Sequence, residues 1–268
     1  MRSPRRFAFV LAALVAVALA SPAWAQQAQT KPYEPQVGQE GKDVVWVPTP
    51  QVLVDQMLDL AKLTPGDFVI DLGSGDGRTV ITAAKRGARA HGIEYNPDMV
   101  ALAKKNAAEA GVSDRATFEK ADLFESDFSR AQVITMFLLP SINMKLRPTL
   151  LDLAPGTRIV SNSFSMEDWT ADETAEVEED CTSWCTALLW IVPAKVAGTW
   201  RMPQGTLQLT QEFQHVGGTL GEAPVRAGKL RGAELSFTVG NVIYTGRVDG
   251  NTMRGTMTGG GPWTATRQ

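Results

Sequence analysis

The sequence has few of the side chains that bind metals. Its 268 residues include only two cysteines, Cys181 and Cys185, and two histidines, His91 and His215. These residues are too few and too scattered to form a recognisable metal site, so we expect no metal cofactor. The chain also lacks a basic excess, because it has 29 acidic and only 26 basic residues. Nucleic-acid binding relies on a basic stripe, and we therefore expect no nucleic-acid partner.

The sequence also lacks an apolar run long enough to span a membrane, which requires about 20 residues. Three arginines lie among the first six residues, an apolar run occupies residues 7–20, and the small-x-small triplet AWA occupies residues 23–25. This order predicts a secretory signal peptide at residues 1–25, export to the periplasm or beyond, and no stable membrane span after cleavage. A retained anchor is one alternative, and twin-arginine export, which "PRRFAF" partly resembles, is another.

Strand and helix patterns alternate along the middle of the chain. After an extended arm at residues 26–48, Thr49 and Pro50 suit the N-cap and first position of a helix over "TPQVLVDQMLDLAK". Strands are predicted at "DFVIDL", "ARAHGIE", "RATFEKAD", "AQVITMFL" and "TRIVSNSF", and helices at "GRTVITAAKR", "NPDMVALAKKNAAEAG" and "SINMKLRPTLL". This alternation predicts an α/β domain at residues 49–195, with a parallel sheet covered by helices on both faces.

The end of this α/β domain carries both cysteines. The segments "ETAEVEED" and "TALLWIV" flank "CTSWC", which predicts an antiparallel hairpin that closes the sheet. In an exported chain the pair Cys181 and Cys185 favours a disulfide across the turn, with a redox or metal centre as the alternative.

The last part of the chain, residues 196–268, has a different pattern. Short alternating runs, such as Leu207, Leu209 and Phe213, are separated by glycine turns, and no helical period continues. We predict a small all-β domain, a meander that curls into a barrel or a sandwich. Domains of this kind favour a structural or interaction role over a catalytic one.

A glycine-rich turn follows the first predicted strand in "VIDLGSGDGRTV". Such a turn directs backbone N–H groups and the positive end of a helix dipole toward an anionic group. The spacing of Gly73, Gly75 and Gly77 differs from the dinucleotide fingerprint GxGxxG, and the lysine of a phosphate-binding P-loop is absent. Asp71 lies at the strand end, and Ser74 lies within the turn.

The pattern DLGSGDGR resembles motif I of the class I S-adenosylmethionine-dependent methyltransferases, which implies a Rossmann-like fold and that cofactor. By this resemblance the turn passes under the methionine part. Glu94 at the second strand end accepts hydrogen bonds from the ribose hydroxyls, although an NAD-binding fold also uses an acid there. Asp122 at the third strand end binds the adenine amino group, and Leu123 packs beside the ring. Asp76 and Arg78 are weaker candidates, since a helix dipole favours an acid there and an exposed arginine is commonly solvated.

Residues 33–193 resemble, more narrowly, the bacterial relatives of the mitochondrial protein-lysine methyltransferases that modify the ATP synthase c subunit. A more distant likeness is to histone-lysine methyltransferases of the non-SET type. The resemblance implies that the segment of Val47, Pro48 and Thr49 caps the methionine end of the cofactor. It also implies that Phe137 to Pro140 line the methyl-transfer channel, with Phe137 counted among the cofactor contacts.

That channel segment reads "FLLP", whereas many amino-methylating DNA and glutamine enzymes carry NPPY there. An apolar channel suits the methylenes of a lysine and disfavours its ammonium by desolvation, which helps to expose the lone pair. Positioning alone supports such a transfer, so we assign no catalytic base. Thr49, Tyr33 and Asn143 are candidates to hold the acceptor; their alternative roles are a helix cap, an arm residue and a surface polar group.

The favoured function is therefore S-adenosylmethionine-dependent methyl transfer to nitrogen, with a protein lysine as the candidate acceptor. One alternative is methylation of a small molecule. The other is an exported S-adenosylmethionine-binding or envelope-interaction protein without turnover, in which the all-β domain contacts an envelope component.

Overall fold

The computed structural model describes residues 33–268. The predicted signal peptide at residues 1–25 and the first part of the predicted arm, residues 26–32, lie outside the described residues. The described part of the arm folds back through a bridge between Glu40 and Val45. Within the described residues, no helix combines the length and the apolar character needed to cross a bilayer.

A seven-stranded sheet with helices forms the first part of the described chain. The helices are α1 Gln51–Leu60, α2 Arg78–Lys85, α3 Pro97–Glu109 and α4 Pro140–Leu151. The strands are β1 Phe68–Leu72, β2 Arg89–Glu94, β3 Ala116–Lys120, β4 Val133–Met136, β5 Arg158–Asn162, β6 Glu173–Glu176 and β7 Thr186–Ile191. The strand order is β3-β2-β1-β4-β5-β7-β6, and only β7 pairs antiparallel, with β5 and with β6. The predicted Rossmann-like α/β sheet is thereby confirmed.

Helix α3 shows how directly some ends of the elements follow from local sequence. The side chain of Asn96 accepts a hydrogen bond from the backbone N–H of Asp98, and Pro97 occupies the first helical position. Gly111 follows the helix with a φ of 69°, a left-handed conformation that glycine adopts without steric cost.

Helix α1 begins one residue later than predicted, and the assignment of Thr49 as its N-cap is wrong. Pro50 is the N-cap and makes no side-chain capping bond. Thr49 is buried against β5, where its Oγ1 accepts a hydrogen bond from Asn162 Nδ2 at 3.3 Å. This contact with a distant strand takes the hydroxyl that a cap would have used.

The sheet is buried on both faces, as the uninterrupted apolar strands predict. In β1, Val69 packs in the cluster that includes residues of α1, α2 and α3. Its neighbours Ile70 and Leu72 belong to the opposite cluster, which includes residues of α4 and the indoles of Trp169 and Trp190. Because both faces are covered, side chains of the sheet can contact a ligand only at the strand ends. In sheets of this kind, ligands bind at the carboxyl ends of the parallel strands.

The closing hairpin is also confirmed, and a disulfide joins Cys181 to Cys185. The five-residue loop 181–185 lies between β6 and β7. Its flank is fixed by the backbone, since Val177 N–H donates to the carbonyl of Cys185 at 2.9 Å. No cluster of metal-binding side chains occurs within residues 33–268.

The C-terminal region forms a closed eight-stranded antiparallel barrel, which is one of the two predicted forms. Its strands are β8 Gly198–Met202, β9 Gly205–Glu212, β10 His215–Leu220, β11 Ala223–Arg231, β12 Glu234–Val239, β13 Val242–Asp249, β14 Thr252–Met257 and β15 Pro262–Arg267. Strand β15 closes the barrel by pairing with β8. Trp200, Phe237 and Trp263 are almost fully buried in its core, so side chains fill the interior. The boundary between residues 195 and 196 stays a prediction.

Phe213 joins the barrel to the sheet, and its assignment to the same alternating run as Leu207 and Leu209 is wrong. Those two leucines are buried in the barrel core, whereas Phe213 lies in the β9–β10 turn and packs against the other core. Its ring stacks on Trp169 at a centroid distance of 5.9 Å. A φ of 50° turns the side chain out of the strand pattern, which the sequence period does not reveal. Beside it, Gln214 Nε2 donates to the carbonyl of Thr170 at 2.8 Å.

We expect Phe213→Ala to lower the free energy of unfolding by about 2 kcal/mol, because a partly buried aromatic contact is lost. Urea unfolding monitored by tryptophan fluorescence measures this change. Phe213→Gly is the matched variant: it loses the same ring but relieves the positive φ, so it should recover about 1 kcal/mol relative to alanine. Equal stability of Phe213→Ala and the natural protein would contradict a role of this stack in joining barrel and sheet.

Candidate functional site

The glycine turn links β1 to α2 at the open end of the sheet. Gly73, Gly75 and Gly77 all have positive φ, at 78°, 52° and 84°. The N–H groups of Gly73 and Ser74 both donate to the carbonyl of Ile93 on β2, at 2.9 and 3.0 Å. These bonds fix the turn against the neighbouring strand. A Cβ on Gly75 would lie 2.7 Å from Trp46 Nε1, so the arm covers this turn closely.

Glu94 lies at the end of β2, and its carboxylate is held by the backbone on both sides. Oε2 accepts from the N–H of Gly75 at 3.0 Å, and Oε1 accepts from the N–H of Asn96 at 2.8 Å. Each oxygen of a carboxylate has two acceptor positions, so each keeps one for a ligand. The same side chain therefore fixes the glycine turn and presents acceptors to the cavity.

Asp122 follows β3 and forms an ion pair with Lys42 of the arm. Its Oδ1 accepts from the N–H of Phe124 at 3.0 Å. The hydrogen bond from Lys42 and the one from Phe124 hold the pKa of Asp122 below its ordinary value. Lys42 also lies 4.8 Å from the ring centre of Tyr95. Sequence reasoning did not single out Lys42, since nothing local links it to a residue 80 positions away.

Asp71 is buried at the end of β1, where Thr135 Oγ1 donates to its Oδ1 at 2.7 Å. The pKa of Asp71 is raised to about 7, chiefly by burial and also by the charges of Glu94 and Asp76, while the hydrogen bond from Thr135 opposes the shift. Near neutral pH this carboxyl therefore responds to any charge that enters the cavity.

These groups surround one cavity of about 510 Å³. Eight of the nine predicted cofactor contacts line it: Asp71, Gly73, Ser74, Gly75, Glu94, Asp122, Leu123 and Phe137. The segment predicted to cap the methionine end of the cofactor also lines it, namely Val47, Pro48 and Thr49. Eight residues that the sequence predicted to share a site therefore do lie around one cavity.

Some predicted site residues lie elsewhere. Gly77 is outside the cavity lining, and a Cβ there would lie 2.7 Å from the ring of Phe118, so this glycine serves helix–sheet packing. Pro140 is exposed as the first residue of α4 and is also outside the lining. Tyr33 is outside too; its hydroxyl accepts a hydrogen bond from Gln39.

Asn143 does not line the cavity, and its alternative assignment as a surface polar group is wrong. It is fully buried, and its Nδ2 donates to the carbonyls of Phe164 and Ser165, both at 3.2 Å. Asn143 therefore holds the loop after β5, because its side chain satisfies two carbonyls there.

Arg78 is held in place, contrary to the expectation of a solvated side chain. Its guanidinium pairs with Asp76 at 2.6 Å, and its Nη1 donates to the carbonyl of Thr49 at 2.7 Å. Arg78 thereby ties the start of α2 to Thr49, the residue that follows the arm.

Three aromatic side chains form what we call the aromatic end of the cavity. The rings of Phe137, Phe164 and Trp184 lie 5.0–6.0 Å apart between centroids and all three line the cavity. Sequence reasoning found Phe137 but missed Phe164 and Trp184. The tryptophan between the two cysteines of "CTSWC" was the available signal for one of them.

The residues present fit S-adenosylmethionine. Three carboxylates, Asp71, Glu94 and Asp122, offer acceptors for the ammonium, hydroxyl and amino groups of this molecule, and Leu123 offers an apolar contact beside them. A Cβ on Gly75 would meet Trp46, and one on Gly73 would lie 3.1 Å from Leu138, so side chains at the turn would intrude among residues that line the cavity. The hydroxyl of Ser74 is buried without a partner among the described residues.

Comparison with known proteins agrees with this geometry. Residues 71–173 match the family model described as ANTKMT methyltransferase domain. The chain is 45% identical to a protein-lysine N-methyltransferase of Saccharolobus islandicus, over 51% of this chain and 86% of that protein. It is 35% identical to a Mus musculus lysine N-methyltransferase that is named for the c subunit of ATP synthase, over 48% of this chain. It spans about half of the mouse protein's length, 52%.

A solved structure is similar over the same region. The RNA methyltransferase of Salinibacter ruber, crystallised with S-adenosylhomocysteine, has 49% sequence identity and a TM-score of 0.53. The match covers 56% of this chain and 96% of that one.

Proposed function

We propose that this chain, which belongs to the class I S-adenosylmethionine-dependent methyltransferases, transfers the methyl group to the side-chain amine of a protein lysine. The observation that carries the lysine assignment is the apolar, aromatic end of the cavity, where Phe137, the first residue of "FLLP", packs against Phe164. The 45% identity to the Saccharolobus islandicus protein-lysine N-methyltransferase supports the same acceptor. The cofactor is S-adenosylmethionine, in agreement with the S-adenosylhomocysteine of the Salinibacter structure.

We assign the cofactor contacts from the predicted roles and the cavity. Glu94 accepts hydrogen bonds from the ribose hydroxyls with the two acceptor positions that Gly75 and Asn96 leave free. Asp122 accepts from the adenine amino group and exchanges its pairing with Lys42 for that contact. Asp71 stabilises the positive charge of the methionine end.

When bound, S-adenosylmethionine would supply an electrophilic methyl group. The neutral amine of the acceptor would bond to that carbon, the carbon–sulfur bond would break with its electron pair kept by S-adenosylhomocysteine, and the new methylammonium would release a proton to water. The chain positions the acceptor amine and the cofactor relative to each other and excludes water from between them. The arm around Trp46 covers the glycine turn, and the aromatic end takes the methylenes of the acceptor. The apolar surroundings disfavour the charged ammonium and so favour the nucleophilic form of the lysine.

We expect the affinity for S-adenosylmethionine to rise about fivefold to tenfold between pH 6 and pH 7.5. Asp71, whose pKa burial raises to about 7, is mostly protonated at pH 6 and mostly ionised at pH 7.5. A cationic ligand favours the ionised form, so binding releases a proton in this range. Titration calorimetry at both pH values measures the change. Asp71→Asn is the control and should bind with an affinity that does not vary in this way; an equal pH dependence in this variant would contradict the assignment.

The observations favour lysine over the other acceptors. The Salinibacter relative is named an RNA methyltransferase, but this chain has an acidic excess, whereas RNA binding favours a basic surface. A protein that binds the cofactor without turnover has no need for an aromatic acceptor end beside it.

The experiment that tests the proposal is incubation of the full chain with methyl-tritiated S-adenosylmethionine and an extract of the source cells. We expect acid-insoluble label that protease removes and ribonuclease does not. Glu94→Ala is the matched control and should give no label. Label removed by ribonuclease, label confined to small molecules, or no label despite cofactor binding would each contradict the proposal.

We also propose that residues 1–25 direct export of the protein. The disulfide between Cys181 and Cys185 supports this proposal, because disulfides persist in oxidising compartments. Fractionation of source cells tests it: recovery of the full-length, uncleaved chain in the cytoplasm would contradict it.

A further inference from the structure

We propose that Phe137, Phe164 and Trp184 form an aromatic site for the positive charge that develops on the acceptor amine during transfer and that the methylated product keeps. We also propose that the Cys181–Cys185 disulfide holds Trp184 in this site and makes acceptor binding sensitive to reduction. The choice of lysine rests on the proposed function, whereas the cation site and its dependence on the disulfide are new.

Three separate segments bring the aromatic rings together. Phe137 follows β4, Phe164 follows β5, and Trp184 lies in the loop of the closing hairpin. The ring centroids are 5.8 Å apart for Phe137 and Phe164, 6.0 Å for Phe137 and Trp184, and 5.0 Å for Phe164 and Trp184. All three side chains line the same cavity as Asp71 and Glu94.

Aromatic faces suit a cation better than other apolar surfaces do. The ring quadrupole attracts a cation within about 6 Å of the centroid, and quaternary ammonium groups are recognised by clusters of such rings. The amine gains positive charge as it takes the methyl group, so rings at this end stabilise the charge that develops. Aliphatic residues at the same positions would accept the methylenes but would give no such stabilisation.

Trp184 is unusual in both exposure and backbone conformation. Its side chain is 46% exposed although it is large and apolar, which leaves part of the indole free for a ligand. Its φ is 59°, and Asp180 at the other end of the loop has a φ of 56°. Left-handed conformations are unfavourable for non-glycine residues and persist where other contacts enforce them. The disulfide between Cys181 and Cys185 is such a constraint.

Opening the disulfide therefore has a specific consequence. Without the covalent closure, Trp184 is free to leave the left-handed conformation, and its indole then leaves the cavity. Asn143 fixes the carbonyl of Phe164 independently, and Phe137 continues directly from β4, so the other two rings stay in place. Reduction should thus remove one ring of the site without disturbing the cofactor end.

The charge around the loop agrees with a cationic acceptor. Glu178, Glu179 and Asp180 precede Cys181 and are all exposed. No basic residue occurs between Lys145 and Lys195 apart from Arg147 and Arg158. A basic segment of a protein is attracted to this acidic flank, whereas an acidic or neutral acceptor is not.

Binding measurements test the site apart from turnover. The probes are Nα-acetyl-Nε-trimethyllysine methylamide and its neutral isostere, in which a tert-butyl group replaces the trimethylammonium. They are titrated into the full chain saturated with S-adenosylhomocysteine. We expect the cationic probe to bind about tenfold more tightly than the isostere, and we expect Trp184→Ala to remove most of this preference. Equal affinities of the two probes would overturn the cation site.

Reduction with a phosphine provides the second arm. We expect reduction to weaken binding of the cationic probe in the natural protein and to have no further effect in Trp184→Ala. Cys181→Ser combined with Cys185→Ser should behave like the reduced protein. A reduction effect that persists unchanged in Trp184→Ala, or no effect in the natural protein, would overturn the link between disulfide and Trp184.

Two controls keep the outcomes separate. S-adenosylhomocysteine affinity should be unchanged in Trp184→Ala, which shows that the cofactor end is intact. Ile243→Ala removes an apolar side chain of similar exposure, 47%, on the barrel and should change neither probe. If the extract assay shows a different acceptor while the cationic probe keeps its preference, the lysine assignment fails and the aromatic site stands. If lysine is methylated but the two probes bind equally, the lysine assignment stands and the aromatic site fails.

Discussion

Glu94→Ala should weaken S-adenosylmethionine binding by about 100-fold or more, as measured by titration calorimetry of the full chain. In the role that we propose, the carboxylate accepts two ribose hydrogen bonds, and each bond to a charged group contributes about 1.5–3 kcal/mol. The substitution also removes two hydrogen bonds within the protein. In the natural protein Glu94 accepts them from the N–H groups of Gly75 and Asn96, at 3.0 and 2.8 Å. The glycine turn thus loses one of its ties to β2.

Two further variants separate these contributions from loss of charge. Glu94→Gln keeps one acceptor oxygen and should lose about tenfold. Glu109→Ala removes the same charge from the exposed surface of α3 and should leave the affinity unchanged. An affinity of Glu94→Ala within a factor of about two of the natural protein would show that this carboxylate does not hold the cofactor.

Gly77→Ala should have the largest effect on stability, a loss of about 3–5 kcal/mol in the free energy of unfolding. A Cβ at this position would lie 2.7 Å from the ring of Phe118 and 2.9 Å from the Cβ of Ala103. Both neighbours are buried between α3 and the sheet, so neither can move freely. The positive φ of 84° adds backbone strain to this overlap.

Gly111→Ala is the matched control for this prediction. Its φ is 69°, but no atom lies within 4 Å of the position where its Cβ would be. Gly111→Ala therefore incurs only the strain, about 1 kcal/mol. Urea unfolding of both variants measures the difference, which isolates the packing contribution. Similar losses for the two variants would contradict the close packing of α2 against β3 at Gly77.

The arrangement of the cofactor end could be predicted because it follows from local rules. The carboxyl ends of parallel strands meet at one edge of a sheet, so acids that end three such strands must lie near one another. Asp71 and Glu94 lie at the ends of β1 and β2, and Asp122 lies just after β3. The glycine spacing and the resemblance then specified which ligand such an edge would hold.

The contacts that could not be predicted join residues far apart in sequence. The pairing of Lys42 with Asp122 and the bond from Asn162 to Thr49 depend on how the arm folds over the sheet. Phe213 follows the alternating pattern of the barrel, yet a single left-handed residue turns it toward Trp169. No periodicity in the sequence records such a change of direction.

The contact of Phe213 with the sheet indicates a role for the all-β domain, whereas the packed interior of the barrel does not. Its core is filled by aromatic side chains such as Trp200 and Trp263, and its turn at Phe213 packs on the segment that continues from Phe164 to Trp169. Asn143 fixes the start of that segment. The barrel therefore supports the loop that carries one ring of the acceptor end.

The most direct test of the account is the identity of the residue that becomes methylated. The acid-insoluble product of the reaction with methyl-tritiated S-adenosylmethionine is hydrolysed to amino acids and separated by chromatography. We expect the tritium to elute with Nε-methylated lysine and to be absent when Glu94→Ala replaces the natural protein. Tritium that elutes with methylated arginine, glutamine or histidine, or that is unaffected by Glu94→Ala, would contradict it.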